Sequence, residues 1–216
     1  MISNIESRDN LRAFSRAKAK DFITKSVAYS KLEDYLSQGW SVAKKNQSTV
    51  RVKRNKTHSE LLEDRVWILL YKMGFQHLSL EGGSELLNTK DENIPTKKIK
   101  IVGVDSEVAL AINCVSNEKW TSNSDLHEEI DNIASIRERF SQSINKMYRV
   151  NYKIQTAIVI FTLNVNITEE DFQKAQEANV VVFNEKDLEY YEKLVSYIGE
   201  AAKYQPKFRK YRSLKT

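Results

Sequence analysis

The chain has 216 residues, of which 41% are hydrophobic and 10% aromatic, and its formal net charge is +5. This content excludes a wholly disordered chain and suits one ordinary α/β domain, and a single cysteine, Cys114, excludes an internal disulfide framework. No run approaches the roughly 18 to 20 apolar residues of a membrane span. Because the first residues are charged instead of forming an apolar signal segment, we expect a cytoplasmic protein with no membrane partner.

Charge is distributed unevenly along the chain. Residues 1–56 contain 13 Lys and Arg against 5 Asp and Glu, and residues 201–216 contain 6 basic residues and no acidic ones. The intervening segment has 15 basic residues against 24 acidic ones. We therefore predict a basic N-terminal helical and hairpin extension (1–57), an α/β domain (58–200) and a basic C-terminal tail (201–216).

The N-terminal extension shows two patterns. Residues 8–37 place Leu11, Phe14, Ala17 and Phe22 near a helical period, which predicts one or two helices before Gly39. The segments GWSVAKK and STVRVKR then predict a small hairpin. This part of the chain is either an extra layer on the main domain or a separate DNA-binding subdomain.

A helix and a loop follow. From Ser59, a candidate N-cap, a helical stripe continues until Gly74, a candidate terminator. Its apolar positions are Leu62, Val66, Leu69, Leu70 and Met73. The segment from Glu81 to Thr96 is polar and contains Gly and Pro, which predicts a surface loop.

The next segment predicts a hairpin. A strand from Ile99 to Val104 leads into a tight polar turn at residues 105–107 and a strongly apolar strand from Val108 to Val115. Cys114 lies inside the second strand. A catalytic thiol there is one hypothesis, but a small buried core residue is the ordinary interpretation.

The remaining elements complete an α/β pattern. The segment TSNSDLHEEIDNIASIRERF predicts a helix with an apolar side formed by Ile130, Ile133, Ile136 and Phe140. His127 lies among acidic residues, but the spacing fits no standard zinc motif, so an acidic exposed helix start is favoured. Thr156–Leu163 predicts a central strand, Thr168 caps a helix together with Asp171, and NVVVF and a final helix follow. We predict an α/β sandwich, with a mixed central sheet flanked by helices.

Several of these segments together resemble a known family. They are HSELLEDRVWILLYKMGF (58–75), the hairpin, FSQSINKMY (140–148) and KIQTAIVIFTLNVNITEEDFQKAQEANVVVFNEKDLEYYEKL (153–194). In order and spacing they resemble the nuclease-like module that precedes the DGQHR domain in DndB-like proteins, within the PD-(D/E)XK superfamily. The resemblance covers roughly residues 15–204 and implies a restriction-endonuclease-like sandwich. We expect the DGQHR domain on another polypeptide or absent.

The resemblance also implies a degenerate active site. Active relatives carry Asp on the first strand of the hairpin and Glu-x-Lys on the second, and the carboxylates hold Mg²⁺. Lys100 stands at the place of the Asp, Asn113 at that of the Glu and Val115 at that of the Lys. The helical acidic residue Glu63 and the polar Gln142 are retained. We expect Lys100, Asn113 and Val115 to meet without binding metal, so neither a metal nor another cofactor is predicted.

Two basic segments are candidates for contacts with DNA phosphates. They consist of Lys44, Lys45, Arg51, Lys53, Arg54 and Lys56 near the hairpin, and Lys207, Arg209, Lys210 and Arg212 in the tail. The first segment is alternatively a solvated linker. The tail interleaves Tyr204, Phe208 and Tyr211 with its cations, which suits stacking on bases or docking on an acidic partner, including the acidic body of this molecule.

The resemblance implies, and the basic segments are consistent with, a catalytically inactive nuclease-fold protein of a prokaryotic DNA-defence or DNA-modification system. It would bind DNA, a partner enzyme such as a DGQHR-domain protein or an intact nuclease paralogue, or both, and relatives with this fold commonly form dimers. One alternative is an active Mg²⁺-dependent endonuclease with a relocated site at Glu63 with Asp64, or at Asp105 with Glu107. Another is an assembly protein that does not bind DNA.

Overall fold

The computed structural model describes residues 5–7, 18–24, 29–45, 49–79, 84–85, 98–117, 124–148, 154–205 and 207–208. The strands are β1 (Ile5–Ser7), β2 (Lys18–Thr24), β3 (Ser41–Lys45), β4 (Thr49–Asn55), β5 (His77–Ser79), β6 (Ser84–Glu85), β7 (Lys98–Ile99), β8 (Ile101–Val104), β9 (Val108–Ser116), β10 (Gln155–Leu163) and β11 (Val180–Phe183). The helices are α1 (Tyr29–Ser37), α2 (His58–Lys72), α3 (Ser124–Ala134), α4 (Arg137–Met147), α5 (Glu169–Glu177) and α6 (Glu185–Ile198), followed by a 3₁₀ helix (Gly199–Tyr204).

The main sheet has six strands in the order β1-β5-β8-β9-β10-β11. The pairs from β1 to β9 are antiparallel, whereas β10 and β11 run parallel to β9. Helices α2 and α6 pack on one face, and α3, α4 and α5 pack on the other. The predicted α/β sandwich with a mixed central sheet is therefore confirmed. Among the described residues, no helix is long and apolar enough to cross a membrane.

Strand β9 lies at the centre of the main sheet and is buried on both faces. Leu110, Ile112 and Cys114 contribute to the core under α2 and α6, whereas Ala109 and Ala111 contribute to the core under α3 to α5. This division follows from the alternation of side chains along a strand. The face on which a residue of β9 lies therefore decides which helices it meets.

The predicted hairpin turn is held by Asp105. Its Oδ1 accepts hydrogen bonds from the backbone N–H groups of Glu107 and Val108, both at 2.8 Å. A short polar side chain that bonds the backbone two and three residues on is a common turn-forming device. The first strand of the hairpin differs from the prediction, because a bend at Lys100 divides it into β7 and β8.

The start of α2 was assigned to the wrong residue from the sequence. Thr57, and not Ser59, is the N-cap, because its hydroxyl accepts from the Glu60 N–H while the Glu60 carboxylate accepts from the Thr57 N–H. This reciprocal capping box satisfies two otherwise unpaired donors. The predicted end is confirmed, since Gly74 has a φ of 87°, which favours glycine.

The N-terminal prediction was half correct. Strands β3 and β4 form the predicted hairpin, but residues 18–24, which were predicted to be helical, form β2 and pair with β4. We call β2, β3 and β4 the small sheet. Pairing with β4 over the whole of β2 joins residues far apart in the sequence, and here it prevails over the weak helical period of the segment. Strand β1 also crosses the predicted boundary at residue 57, because it pairs with β5 in the main sheet.

The later elements agree with the sequence. The segment predicted as one helix after the hairpin forms α3 and α4, and its four predicted apolar residues are buried. Thr168 and Asp171 form the expected capping box, and β10, β11 and α6 follow as predicted. The loop predicted from Glu81 to Thr96 lies outside the described residues except for β6, which pairs with β7.

Glu60 joins the small sheet to α2 and gives this junction a pH dependence. Arg54 donates to both of its carboxylate oxygens, and this contact is the main cause that lowers the pKa of Glu60 from 4.5 to about 2. The pKa of Glu60 is lower in the folded protein than in the unfolded chain. The contact with Arg54 therefore stabilises the fold fully above pH 4.5, and this stabilisation is lost as the pH falls towards 2.

We therefore expect Glu60→Gln to lower the thermal midpoint near pH 7 and to reduce its loss on acidification through this window. Thermal unfolding followed by circular dichroism at a series of pH values measures both effects. Glu33→Gln in α1 is the control, because it removes a carboxylate from an exposed position. An identical acid dependence for Glu60→Gln and the unchanged protein would contradict the assignment.

Candidate functional site

The candidate site lies at the edge of the main sheet where β9, β10 and β11 end. These strands are parallel, and Cys114, Phe161 and Phe183 are neighbours in register near their carboxyl ends. In open α/β sheets this edge is the usual place for ligands. Glu63, in the second turn of α2, lies beside it.

Glu63 and Lys100 form an ion pair at this edge. The Lys100 Nζ lies 3.1 Å from the Glu63 Oε1, with 17% of the Glu63 side chain and 44% of the Lys100 side chain exposed. The Ser59 hydroxyl donates to the same carboxylate oxygen at 3.3 Å. The bend between β7 and β8 brings Lys100 to α2. Two of the residues predicted from the sequence therefore meet, as a carboxylate paired with an ammonium group.

Cys114 lies beneath this pair. Burial raises the pKa of its thiol, the Glu63 carboxylate raises it further, and the Lys100 charge lowers it by less. The thiol is therefore protonated at neutral pH, whereas a nucleophile or metal ligand needs the thiolate. The structure thus agrees with the interpretation of Cys114 as a buried core residue.

Asn113 and Val115 lie on the opposite face of the sheet. The Asn113 amide donates to the carboxylate of Glu129 in α3, and Val115 packs against the core under α3 to α5. The sequence interpretation expected both side chains to meet Lys100, and the structure corrects this. Because residues alternate along β9, it is Cys114 that shares a face with Glu63.

Gln142 also lies away from the ion pair of Glu63 and Lys100. It lies on α4, is exposed, and donates to Glu138 of the same helix at 3.2 Å. Helix α4 packs on the face of the sheet opposite α2. The polar position that the family resemblance predicts is therefore occupied, but it does not join Glu63.

The alternative sets of carboxylates have basic partners. The Asp64 Oδ2 lies 2.7 Å from the Lys56 Nζ, and the Asp105 Oδ2 lies 3.2 Å from the Lys203 Nζ. Asp105 also uses its other oxygen to hold the hairpin turn. These carboxylates have structural contacts that a relocated metal site would have to break.

The donor set around Glu63 does not fit a Mg²⁺ ion. Mg²⁺ is held by anionic oxygen ligands, usually carboxylates. Around Glu63 the neighbouring groups are the Lys100 ammonium, the Ser59 hydroxyl and the neutral Cys114 thiol. The ammonium repels such an ion, and neither the hydroxyl nor the thiol supplies the second negative charge. Among the described residues, no group of three or more His, Cys, Asp and Glu is placed to hold a metal. His127 instead contacts Asp171, with 2.9 Å between Nε2 and Oδ1.

The basic residues predicted near the hairpin separate into two groups. Lys44, Arg51 and Lys53 lie on the face of the small sheet opposite its buried Val50 and Val52. Arg54 and Lys56 instead form ion pairs with Glu60 and Asp64 of α2. Lys45 is exposed but pairs in register with Val50, and therefore lies on the other face from Lys44.

The start of the C-terminal tail is part of the core, which the sequence prediction of a separate tail missed. Phe208 is fully buried against Phe183 and Tyr191, with ring centroids 4.8 and 4.6 Å away. Lys207 forms an ion pair with Asp187 at the start of α6. These contacts match the alternative in which the tail docks on the acidic body, and they exclude Phe208 from stacking on bases. Arg209, Lys210, Tyr211 and Arg212 lie outside the described residues.

Comparisons with known proteins give no family assignment. No family model matches the chain, and no curated protein matches it either. Among solved structures, the protein VC1899 from Vibrio cholerae is similar, with a TM-score of 0.46 and 12% identity. The match covers 86% of this chain and 47% of that one, so the chain spans about half the length of VC1899. The evidence for a function therefore comes from the chain's own residues.

Proposed function

We propose that the protein binds DNA without hydrolysing it, and that it is a catalytically silent relative of restriction-endonuclease-like proteins. The observation that carries this proposal is the ion pair between Glu63 and Lys100 beside the buried thiol of Cys114. An ammonium group stands where metal-dependent hydrolysis needs a second carboxylate.

The loss of hydrolysis follows from charge. A divalent ion beside Glu63 would lie close to the Lys100 ammonium, and like charges repel strongly where water is partly excluded. Without the ion, the attacking water keeps its ordinary high pKa, and the scissile phosphate is not polarised. The Glu63 carboxylate is then a structural partner of Lys100 instead of a metal ligand.

The distribution of charge supports DNA as the ligand. Residues 1–56 carry a net charge of +8 in a chain whose total is +5. Lys44, Arg51 and Lys53 of this segment share one face of the small sheet. Basic groups of this kind bind the phosphate backbone and release counterions, so the affinity falls steeply with salt.

The cellular setting and the partner are part of the same proposal. The resemblance to modules that precede a DGQHR domain supports a role in a prokaryotic DNA-defence or DNA-modification system. It also supports a DGQHR-domain protein or an intact nuclease paralogue as the partner. In that arrangement this protein supplies binding, and its partner supplies the chemistry.

One observation favours assembly with a protein as a second candidate function. Helix α6 and the 3₁₀ helix after it expose Tyr190, Tyr197 and Tyr204, of which Tyr197 is 79% exposed. Aromatic side chains are enriched in protein interfaces. In this alternative the protein binds its partner through α6 and does not touch DNA.

Fluorescence anisotropy with a short labelled duplex separates the two candidates. We expect binding whose logarithmic association constant falls linearly with the logarithm of salt concentration, with a slope of roughly −0.9 for each phosphate contacted. Tyr197→Ala is the control, because it removes the most exposed aromatic residue of α6 and leaves the small sheet unchanged. Absence of binding at low salt would contradict DNA as the ligand and would favour assembly.

A further inference from the structure

The small sheet has two unlike faces. One packs Val50 and Val52 against Leu32, Tyr35 and Trp40, and so forms a minor core of its own. The positions of β3 and β4 on the other face are polar or basic. We call them the outer face: Ser41, Lys44, Arg51, Lys53 and Asn55.

The outer face brings like charges together. Lys44 and Arg51 are direct cross-strand partners, and Lys53 lies two residues from Arg51, which corresponds to about 6.6 Å along a strand. Like charges opposite each other destabilise a sheet. An anionic ligand lying over these rows would offset that repulsion.

Two neighbouring cations of this segment are directed to α2 and the minor core. The guanidinium of Arg54 is held by Glu60 and stacks 5.0 Å from the centre of the Trp40 ring. The ammonium of Lys56 is held by Asp64, with only 2% of its side chain exposed. No Asp or Glu occurs among the described positions of the outer face. Arg54 and Lys56 therefore lie away from the outer face, on which Lys44, Arg51 and Lys53 are located.

We infer that the outer face is the surface that contacts the phosphate backbone of duplex DNA, through Lys44, Arg51 and Lys53. This inference rests on the proposed function and names the residues that perform it. The face suits phosphates because its described side chains are cations and small hydrogen-bonding groups. Protein interfaces, in contrast, usually have apolar or aromatic anchors at their centre.

Lys44 and Lys45 provide a matched test. They are adjacent, both are exposed, and they lie on opposite faces of the small sheet. Lys44→Gln and Lys45→Gln therefore remove the same charge from almost the same place. We expect Lys44→Gln to weaken binding to a labelled duplex severalfold and to reduce the salt slope by about 1, whereas Lys45→Gln leaves both unchanged.

A triple variant tests the whole face. Lys44→Gln, Arg51→Gln and Lys53→Gln together should reduce the salt slope by roughly 2.7, which is 0.9 for each phosphate contact. The control is the combination of Lys72→Gln, Lys186→Gln and Lys193→Gln, which removes equal charge from exposed lysines of α2 and α6. It should bind nearly as well as the unchanged protein. Circular dichroism of each variant shows whether the fold is retained.

The outcomes separate this inference from the proposed function. If the unchanged protein binds and the outer-face variants bind equally well, DNA is held elsewhere, so the inference fails while the proposed function survives. Equal losses in the outer-face triple and its control would also overturn the inference, because binding would then follow net charge alone. Tighter binding to a single strand than to the duplex would overturn the class of ligand. Failure of the unchanged protein to bind overturns both proposals.

Discussion

Lys56→Met is expected to lower the free energy of unfolding by about 3–5 kcal/mol, because it leaves a buried carboxylate without its ionic partner. The Lys56 Nζ lies 2.7 Å from the Asp64 Oδ2, and the two side chains are only 2% and 11% exposed. The pair joins the end of β4 to α2. For a domain of this size, the change corresponds to a fall of roughly 6–20 °C in the thermal midpoint.

Chemical denaturation of Lys56→Met and of the double variant Lys56→Met with Asp64→Leu measures this effect. The double variant should recover most of the loss, because an apolar pair of similar volume often replaces a buried ion pair without cost. A double variant as unstable as Lys56→Met would mean that the pair is not the cause. Lys56 was predicted from the sequence to contact DNA. Its burial instead assigns it a structural role, so the folded variant should keep its DNA affinity.

Phe208→Ala is the second change with a large expected effect, a loss of about 3–5 kcal/mol. The ring of Phe208 is fully buried between Phe183 and Tyr191, and the backbone N–H of Phe208 donates to the Tyr191 hydroxyl at 3.3 Å. Its removal leaves a cavity lined by aromatic rings. Phe208 therefore anchors the start of the basic tail to the core.

Denaturant unfolding of Phe208→Ala and Tyr204→Ala tests this assignment. Tyr204 belongs to the same tail but is 45% exposed, so its loss should change stability much less. Phe208→Leu should fall between the two, because it keeps part of the buried volume. Equal stability of Phe208→Ala and the unchanged protein would show that the ring does not occupy this position in solution.

The elements of the C-terminal half were predictable because their signals are local. The capping box of Thr168 and Asp171, the apolar run of β10 and the helical period of α6 each lie within a few neighbouring residues. Strand β2 was not predictable in the same way, because it is defined by pairing with β4. The burial of Phe208 was missed for a related reason. Its sequence neighbours are basic, and its contacts are with Tyr191 and Phe183, which lie 17 or more positions earlier in the chain.

The candidate site was predictable only in part. Glu63 and Lys100, both named as site positions, form an ion pair, but Asn113 and Val115 do not join them. Strand β9 is buried on both faces from Val108 to Ile112, so this part of its sequence is apolar and has no alternation to show which residues face α2. The bend at Lys100 makes the prediction harder, because the alternation of side chains between the two faces of the sheet is interrupted at this residue.

This arrangement has a consequence for attempts to introduce nuclease activity. Substituting Lys100→Asp, Asn113→Glu and Val115→Lys would follow the family resemblance, yet positions 113 and 115 lie on the face covered by α3. The new Glu and Lys would then be directed away from Glu63. We expect this triple variant not to cleave DNA.

Cleavage of a labelled DNA duplex, measured at a protein concentration that saturates binding and with Mg²⁺ or Mn²⁺ present, is the most direct measurement. We predict that the duplex is fully bound and remains intact, because Lys100 occupies the position next to Glu63 that a second carboxylate would need. Metal-dependent cleavage that is lost in Glu63→Gln would contradict this, and it would show that the edge of the main sheet is an active nuclease site.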